Sequence, residues 1–467
     1  MPAGPPAATG IDELIDRART AQAIFEGYDQ ARVDDVVTAV AWAIYEPGRA
    51  RELAELAVRD TGLGEVGDKI AKNRRKTFGT LRDLTGAPSV GVIDDDPATG
   101  VTTYAKPMGV VAAVCPSTNP SATPANKAMM ILKGRNAVIL APSPKGATTC
   151  ALLVDYIHRE LDKVGAPRDL VQYVRAPSKA RTTELMDRAD MVVVTGSQRN
   201  VRAAYTSGTP AIGVGAGNAP VIVDADADLA DAAAKIRVSK TFDYATSCSS
   251  ENSVHLHDAV YDAAMDALRA EGGYLLTADE KDRLAKVMWP DGRLSGAVTA
   301  QAPAVIADLA GLPDAARAAR FLMVEEDGYG PDHPFSGEKL SVVLAVYRFA
   351  DLDACLDRIQ HILDFCGAGH SCGIHTRDEA RARHVADRLK VARVLVNQAH
   401  CLGTGGSFDN GLGFTLTMGA GTWAGNSTSD NLSYRHFLNY TRLARVIPPR
   451  EPAEADLFGG YHAAYGR

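Results

Sequence analysis

The run Gly109-Val110-Val111-Ala112-Ala113-Val114-Cys115-Pro116-Ser117-Thr118-Asn119-Pro120 decides the fold. Its apolar half, Val110 to Cys115, is too short for a helix, lacks polar alternation and stops at turn-forming residues. That is the pattern of a strand buried on both faces and running into a loop. The same pattern returns downstream. Ala137 to Ala141 leads into Pro142-Ser143-Pro144-Lys145, Met191 to Val194 leads into Thr195-Gly196-Ser197, and Leu170 to Val174 is a further apolar run. Between them, Ala147 to Val164, Arg181 to Arg188 and Gln198 to Tyr205 carry helical spacing and act as crossovers. Such alternation predicts an α/β fold with a doubly wound parallel sheet, whose ligand crevice lies beyond the carboxyl ends of the strands. The three polar loops fall at that end.

Outward from this centre, residues from Ile11 to about Phe78 show apolar positions three and four apart, the mark of packing helices. Asp94-Asp95-Asp96-Pro97 followed by Val101-Thr102-Thr103-Tyr104 reads as a hairpin over Gly91 to Pro107, standing off the body. A second α/β pattern begins at Pro220-Val221-Ile222-Val223-Asp224, with Asp228 placed to cap a helix over Leu229 to Lys240. Further strands are expected at Ser341 to Tyr347 and Val394 to Asn397, with helices over Leu352 to Leu363 and Arg377 to Leu389. Leu432 to Val446 has strand character without an obvious partner in its own subunit, and is expected to pair with the hairpin of a neighbouring one.

At 467 residues the chain exceeds what one core normally supports. The expected division is a dinucleotide-binding unit over 1–90 and 110–220, a catalytic unit over 221–431, and an oligomerisation arm over 91–109 and 432–449. Hydrophobic residues at 46% and charged ones at 23% describe a globular protein, and a net charge of −7 without a basic face argues against nucleic acid. Met1 to Gly10 reads as a floppy tail without signal-peptide character, and no apolar stretch is long enough for a membrane span. Seven irregularly spaced cysteines do not make a disulfide framework, so a reducing cytoplasm is expected.

Cys248, in Thr246-Ser247-Cys248-Ser249-Ser250-Glu251, is a thiol among small hydroxylated residues at an element boundary, as suits a nucleophile. Asn119, at the end of the first buried strand, offers an amide to a developing oxyanion, though a turn-forming Asn before Pro is the commoner role. Gly213-Val214-Gly215-Ala216-Gly217-Asn218 is followed by a strand rather than a helix, so it reads as a tight turn with close backbone approach and not as a dinucleotide fingerprint. Cys366, His370, Cys372 and His375 have spacing that invites zinc, but they sit in a glycine-rich loop entering a strand. No metal is expected.

Lys106-Pro107-Met108-Gly109-Val110-Val111-Ala112, Cys115 to Pro120, Val194 to Ser197, Gly213 to Pro220, Ser247 to Glu251, Glu338-Lys339-Leu340-Ser341 and Gly421 to Ser427 together resemble the CoA-acylating branch of the aldehyde dehydrogenase superfamily. The resemblance covers about Ala18 to Ile447. Asn397-Gln398-Ala399-His400, Gly405 to Leu412 and Ser429 to Leu432 resemble most closely its acylating sulfoacetaldehyde dehydrogenases.

The resemblance implies that Cys248 attacks an aldehyde, that Asn119 and the Cys248 N–H hold the oxyanion, and that hydride leaves to a nicotinamide. An acyl-enzyme thioester remains. Hydrolytic relatives break it with a glutamate, and an ungapped match on Pro220 puts Val214 at that place, so coenzyme A is the implied acyl acceptor. Sulfoacetaldehyde is the implied substrate, with acetaldehyde or propionaldehyde next and hydrolytic oxidation as a further alternative. For the cofactor the implied contacts are Ser117, Thr195, Gly196, Ser197, Gly217 and Glu338. The block Ala141-Pro142-Ser143-Pro144 lacks the lysine and glutamate that usually touch the adenosine ribose. With Lys145 beside it, NADP is expected to be accepted as well as NAD. His370 is implied in thiol or proton handling, with a structural histidine equally open. A homodimer or homotetramer is implied.

Overall fold

Four helices open the chain, which this computed structural model describes over residues 9–467: α1 (Ile11–Glu26), α2 (Gln30–Tyr45), α3 (Pro47–Thr61) and α4 (Val66–Leu84). Asp29 caps α2 by accepting from the Arg32 N–H, and Pro47 starts α3, where a missing N–H costs nothing. The first two helices bury apolar stripes. In α4 the buried stripe is polar instead: Lys69, Lys72, Asn73, Lys76, Thr77 and Thr80 lie three and four apart and face inward.

The expected hairpin forms from β1 (Gly91–Asp96) and β2 (Val101–Pro107), antiparallel from Gly91 opposite Ala105 to Asp96 opposite Val101. Next come β3 (Val110–Val114), α5 (Ala122–Lys133), β4 (Ala137–Ala141), α6 (Ala147–Lys163), β5 (Val171–Tyr173), α7 (Lys179–Arg188), β6 (Met191–Thr195), α8 (Gln198–Thr206) and β7 (Ala211–Val214). These strands form one parallel sheet in the order β5-β4-β3-β6-β7. The chain winds outward from β3 through β5 and then returns to the far side of β3, so the winding reverses between β3 and β6. That reversal is the place where such sheets bind their ligands, outside the carboxyl ends of the strands.

A second parallel sheet holds β8 (Ala219–Val223), β9 (Glu251–His257), β10 (Gly273–Leu275), β11 (Phe321–Glu325), β12 (Val343–Phe349), β13 (Cys372–His375) and β14 (Val394–Val396). Their order is β10-β11-β12-β9-β8-β13-β14. The helix α9 (Leu229–Thr241) connects β8 to β9, and Asp228 caps it as expected by accepting from the Asp231 N–H. The helices Leu352–Phe365 and Glu379–Arg388 also form, within two residues of the expected bounds. Each sheet has its own apolar core.

The C-terminal expectation needs correction. Strand β15 (Leu438–Ala444) pairs within its own chain, antiparallel to β2 from Leu438 opposite Pro107 to Ala444 opposite Val101. Pairing over more than 330 residues leaves no local trace, which is why hairpin and strand each looked unpartnered. The strand is also shorter than the 432–446 expected, since Leu432, Tyr434 and Phe437 pack into the core of the first sheet. An exposed helix, Glu454–Tyr465, follows.

Candidate active site

Adjacent parallel strands bring distant residues to one edge. Strands β12, β9, β8 and β13 are neighbours in that order, and just before their amino ends lie Glu338, Cys248, Gly217 and His370. Cys248 Sγ lies 3.2 Å from His370 Nε2, and His370 Nδ1 lies 2.7 Å from Ser371 Oγ. The Gly217 N–H donates to Glu338 Oε1 at 3.0 Å. A methyl at Gly217 would lie 2.5 Å from the Cys248 carbonyl oxygen and 2.9 Å from His370 Cδ2. Only glycine fits where this backbone packs against both Cys248 and the His370 ring. We expect Gly217→Ala to lower kcat by about tenfold to a hundredfold through displacement of the reacting groups, with some loss of melting temperature because the clash is partly with backbone; unaltered kcat would contradict this packing.

His370 arrives on a loop that bends at Gly369, where φ is +77° and a side chain would strike the Ala420 carbonyl. Arg393 clamps that loop, donating to the carbonyls of His370 (3.2 Å), Gly419 (2.8 Å) and Ser429 (3.1 Å) and to Asn431 Oδ1 (2.6 Å). The zinc-like spacing thus has another use. His370 faces the thiol, while Cys372 and His375, three apart in β13, point to opposite faces of the sheet.

Burial pushes the Cys248 thiol up to about 12, the Glu338 charge adding to the rise and Arg393 and Lys72 opposing it. Burial likewise raises Glu338 to about 7 and lowers His370 to about 3, with Arg393 contributing to the second shift. At neutral pH the resting pair is therefore a thiol beside a neutral imidazole, and the two shifts hold the proton on sulfur until substrate arrives. The free enzyme should show Cys248 alkylation by iodoacetamide accelerating about tenfold per pH unit from pH 7 to 10, as thiolate fraction grows below the pKa. A plateau near pH 8, followed by peptide mapping of Cys248, would contradict a raised thiol.

Asn119 lies in the loop after β3, and its Oδ1 accepts from Lys72 Nζ at 2.8 Å. That ammonium also donates to Asp243 Oδ2 (2.5 Å) and Thr246 Oγ1 (3.0 Å), which ties Asn119 to the segment leading into Cys248. In that segment Asp243, Tyr244 and Ala245 have φ of 52°, 48° and 61°. Three successive left-handed residues without glycine cost about 1 kcal/mol or more each. Asp243 offsets this by accepting from Lys69, Lys72, Thr246 and the Glu65 N–H, while its own N–H donates to Asp68. Burial would raise the Asp243 carboxyl, but Lys72 and Lys69 outweigh it and hold it below the ordinary range.

The positions read for a cofactor divide into two groups. Ser117 follows β3, Thr195 ends β6, Gly196 follows it, Ser197 caps α8, and Lys145 is exposed in the turn after β4. These five stand at carboxyl ends of the first sheet. Beside Lys145, Ser143 Oγ is buried without a partner among the described residues. Gly217 and Glu338 belong to the thiol's side of the crevice.

Sequence reasoning did not single out Lys69, Lys72, Asp243 or Arg393. A signal for the lysines existed: polar residues at 69, 72, 73, 76, 77 and 80 repeat at the spacing of a buried helix face.

The sequence pattern described as the aldehyde dehydrogenase family matches residues 6–285. The chain is 57% identical to an acylating sulfoacetaldehyde dehydrogenase of Cupriavidus necator, over 99% of this chain and 94% of that one. The chain belongs to the aldehyde dehydrogenase family. An acylating sulfoacetaldehyde dehydrogenase of Bilophila wadsworthia is 42% identical, over 98% of this chain and 99% of its own. Among solved structures, an acetylating aldehyde dehydrogenase from Geobacillus thermoglucosidasius superposes with a TM-score of 0.91 at 34% identity, covering 95% of this chain and 98% of that one. In this aldehyde dehydrogenase Val214 ends β7 opposite Thr195, an apolar side chain 2% exposed.

Proposed function

We propose that the protein is an NAD(P)-dependent, CoA-acylating aldehyde dehydrogenase that converts sulfoacetaldehyde to its acyl-CoA through a thioester on Cys248. The observation that carries this reading is the pairing of Cys248 with a neutral His370 at 3.2 Å, while a valine stands where hydrolytic relatives keep their base. The Cys248 sulfur bonds to the aldehyde carbon as its proton leaves by way of His370 Nε2 in one concerted step, since the resting thiol holds its proton far more tightly than this imidazole would. The oxyanion formed on the substrate is held by Asn119 Nδ2 and the Cys248 N–H. A bound nicotinamide supplies the hydride acceptor. His370, having released its proton to solvent, then takes the proton of the CoA thiol. The CoA sulfur bonds to the acyl carbon as the bond to Cys248 breaks, and the enzyme thiolate is reprotonated.

Ser117, Thr195, Gly196 and Ser197 would hold the dinucleotide, with Glu338 and Gly217 near its nicotinamide end. The exposed Lys145 suits a 2′-phosphate, so NADP is accepted along with NAD. Cofactor binding is assigned to the unit around the five-stranded sheet, catalysis to that around the seven-stranded sheet, and assembly to the arm of β1, β2 and β15. The arm presents strand edges suited to a dimer or tetramer. No helix among the described residues is long and apolar enough to cross a membrane, and seven free thiols suit the cytoplasm.

Glu338 is the one observation favouring a second reading, hydrolysis, because its carboxyl, raised to about 7, neighbours the thiol and suits a base. The substrate is tested by comparing sulfoacetaldehyde, acetaldehyde and propionaldehyde with CoA and either nucleotide. We expect kcat/KM to favour sulfoacetaldehyde by at least about tenfold, a modest demand on one recognised anionic group. Equal or reversed preference would overturn the substrate while leaving the acylating chemistry standing.

A further inference from the structure

We infer that Lys72, held by Asp243, is a positioning residue that sets both donors of the oxyanion site at once. The inference rests on the assignment of Asn119 and the Cys248 N–H as those donors. An ammonium has three N–H groups and no acceptor, and those of Lys72 are spent on Asn119 Oδ1, Asp243 Oδ2 and Thr246 Oγ1 at 2.8, 2.5 and 3.0 Å. No N–H remains for a substrate anion. Because Lys72 can only donate, it can face only the oxygen of the Asn119 amide, which fixes the amide's orientation and leaves Nδ2 as the end that donates. A cation on Oδ1 also polarises the amide and strengthens its N–H as a donor.

The other donor is governed through the same carboxylate. Asp243 begins the left-handed triplet Asp243-Tyr244-Ala245, and Thr246 Oγ1, two residues before Cys248, donates back to Asp243 Oδ2 at 2.7 Å. The direction of the Cys248 N–H therefore depends on a strained turn that Asp243 pins. Lys69, one turn before Lys72 on α4, braces the same two elements: it donates to Asp243 Oδ2 at 3.0 Å and to the carbonyl of Thr118 at 3.1 Å. The polar stripe of α4 thus joins the carboxyl end of β3 to the approach to β9 across the crevice. Lys72 is 6% exposed and Asp243 is fully buried. Water therefore cannot readily replace either partner.

A network that merely stabilised the fold would act equally with or without Asn119. Kinetics of the full-length enzyme with aldehyde, CoA and nucleotide separate the two roles. We expect Lys72→Met to lower kcat by about 30-fold, with KM changed less than about threefold, since a donor used chiefly in the transition state is displaced. In an Asn119→Ala background the same substitution should cost clearly less, about threefold to tenfold, because only its hold on the Cys248 N–H through Asp243 is then left to lose. Independent, multiplicative losses in the double variant would overturn the inference, as would a Lys72→Met enzyme with kcat near wild type. If Lys72→Met fails to fold, Lys72→Arg carries the test. It keeps the charge on Asp243 but moves the donor, so we expect about a tenfold loss of kcat that vanishes beside Asn119→Ala. Asn119→Ala alone leaving kcat intact would instead remove the underlying oxyanion assignment.

Discussion

Cys248→Ala should lose at least about four orders of magnitude in aldehyde-dependent reduction of the nucleotide, because covalent catalysis has no substitute once its nucleophile is gone. The substitution is small and leaves the local structure supported. Cys248 occupies a loop whose shape is set by Asp243, and the cavity left by one sulfur lies beside His370 at an already half-open site. Melting temperature should change little. Nucleotide binding, measured by fluorescence or calorimetry, should persist, since the five carboxyl-end positions lie on the opposite sheet. Retained turnover in a folded Cys248→Ala enzyme would remove the nucleophile. None of the other six cysteines offers a replacement: five are buried, and Cys366 lacks the imidazole that Cys248 has at 3.2 Å.

The second large effect is expected at Asn119. On the proposed assignment, deleting its amide removes one of two donors to an oxyanion absent from the ground state, and donors of that kind are worth about a hundredfold to a thousandfold in kcat. KM should move far less than kcat. Asn119→Ala also strips Lys72 of one partner while leaving it Asp243 and Thr246, so its charge stays paired. A loss expressed mainly in KM would mean that Asn119 binds the aldehyde rather than its transition state. Asn119→Asp should be at least as damaging, because a carboxylate facing the oxyanion would repel it.

The fold was legible where one strand buries both faces. Val110 to Val114 and Ala137 to Ala141 read correctly because parallel strands covered by helices must be apolar throughout. Gly273–Leu275 escaped notice because its three residues, half-buried and opening on glycine, make no apolar run, whereas the equally short Val171–Tyr173 and Val394–Val396 sit in apolar stretches. The intrachain pairing of β2 with β15 escaped because register between remote strands is set in three dimensions. At the site, Cys248, Asn119, His370 and Glu338 were visible through resemblance, but not why they meet. For Glu338, Cys248 and His370 that follows from the order β12-β9-β8-β13, which places their loops on one edge, whereas Asn119 comes from the loop after β3 in the other sheet and is tied in through Lys72. Gly217 carries a cofactor contact by resemblance, and its packing against both Cys248 and His370 is not evident from a glycine run. Lys72 and Asp243 were passed over because buried ions are rare enough that helix α4 was read as ordinary packing.

The fate of the acyl group decides between acylating and hydrolytic chemistry, and a rapid-mixing experiment reads it directly. Enzyme, sulfoacetaldehyde and nucleotide are mixed without CoA, and reduced nucleotide is followed against the number of Cys248 sites. With valine at 214, one equivalent should form and then stall as the thioester accumulates, detectable as a mass increase on the Cys248 peptide. Adding CoA should restore steady turnover and yield acyl-CoA equal to the nucleotide reduced. Sustained turnover to free acid without CoA, at a rate that CoA does not change, would contradict the acylating function.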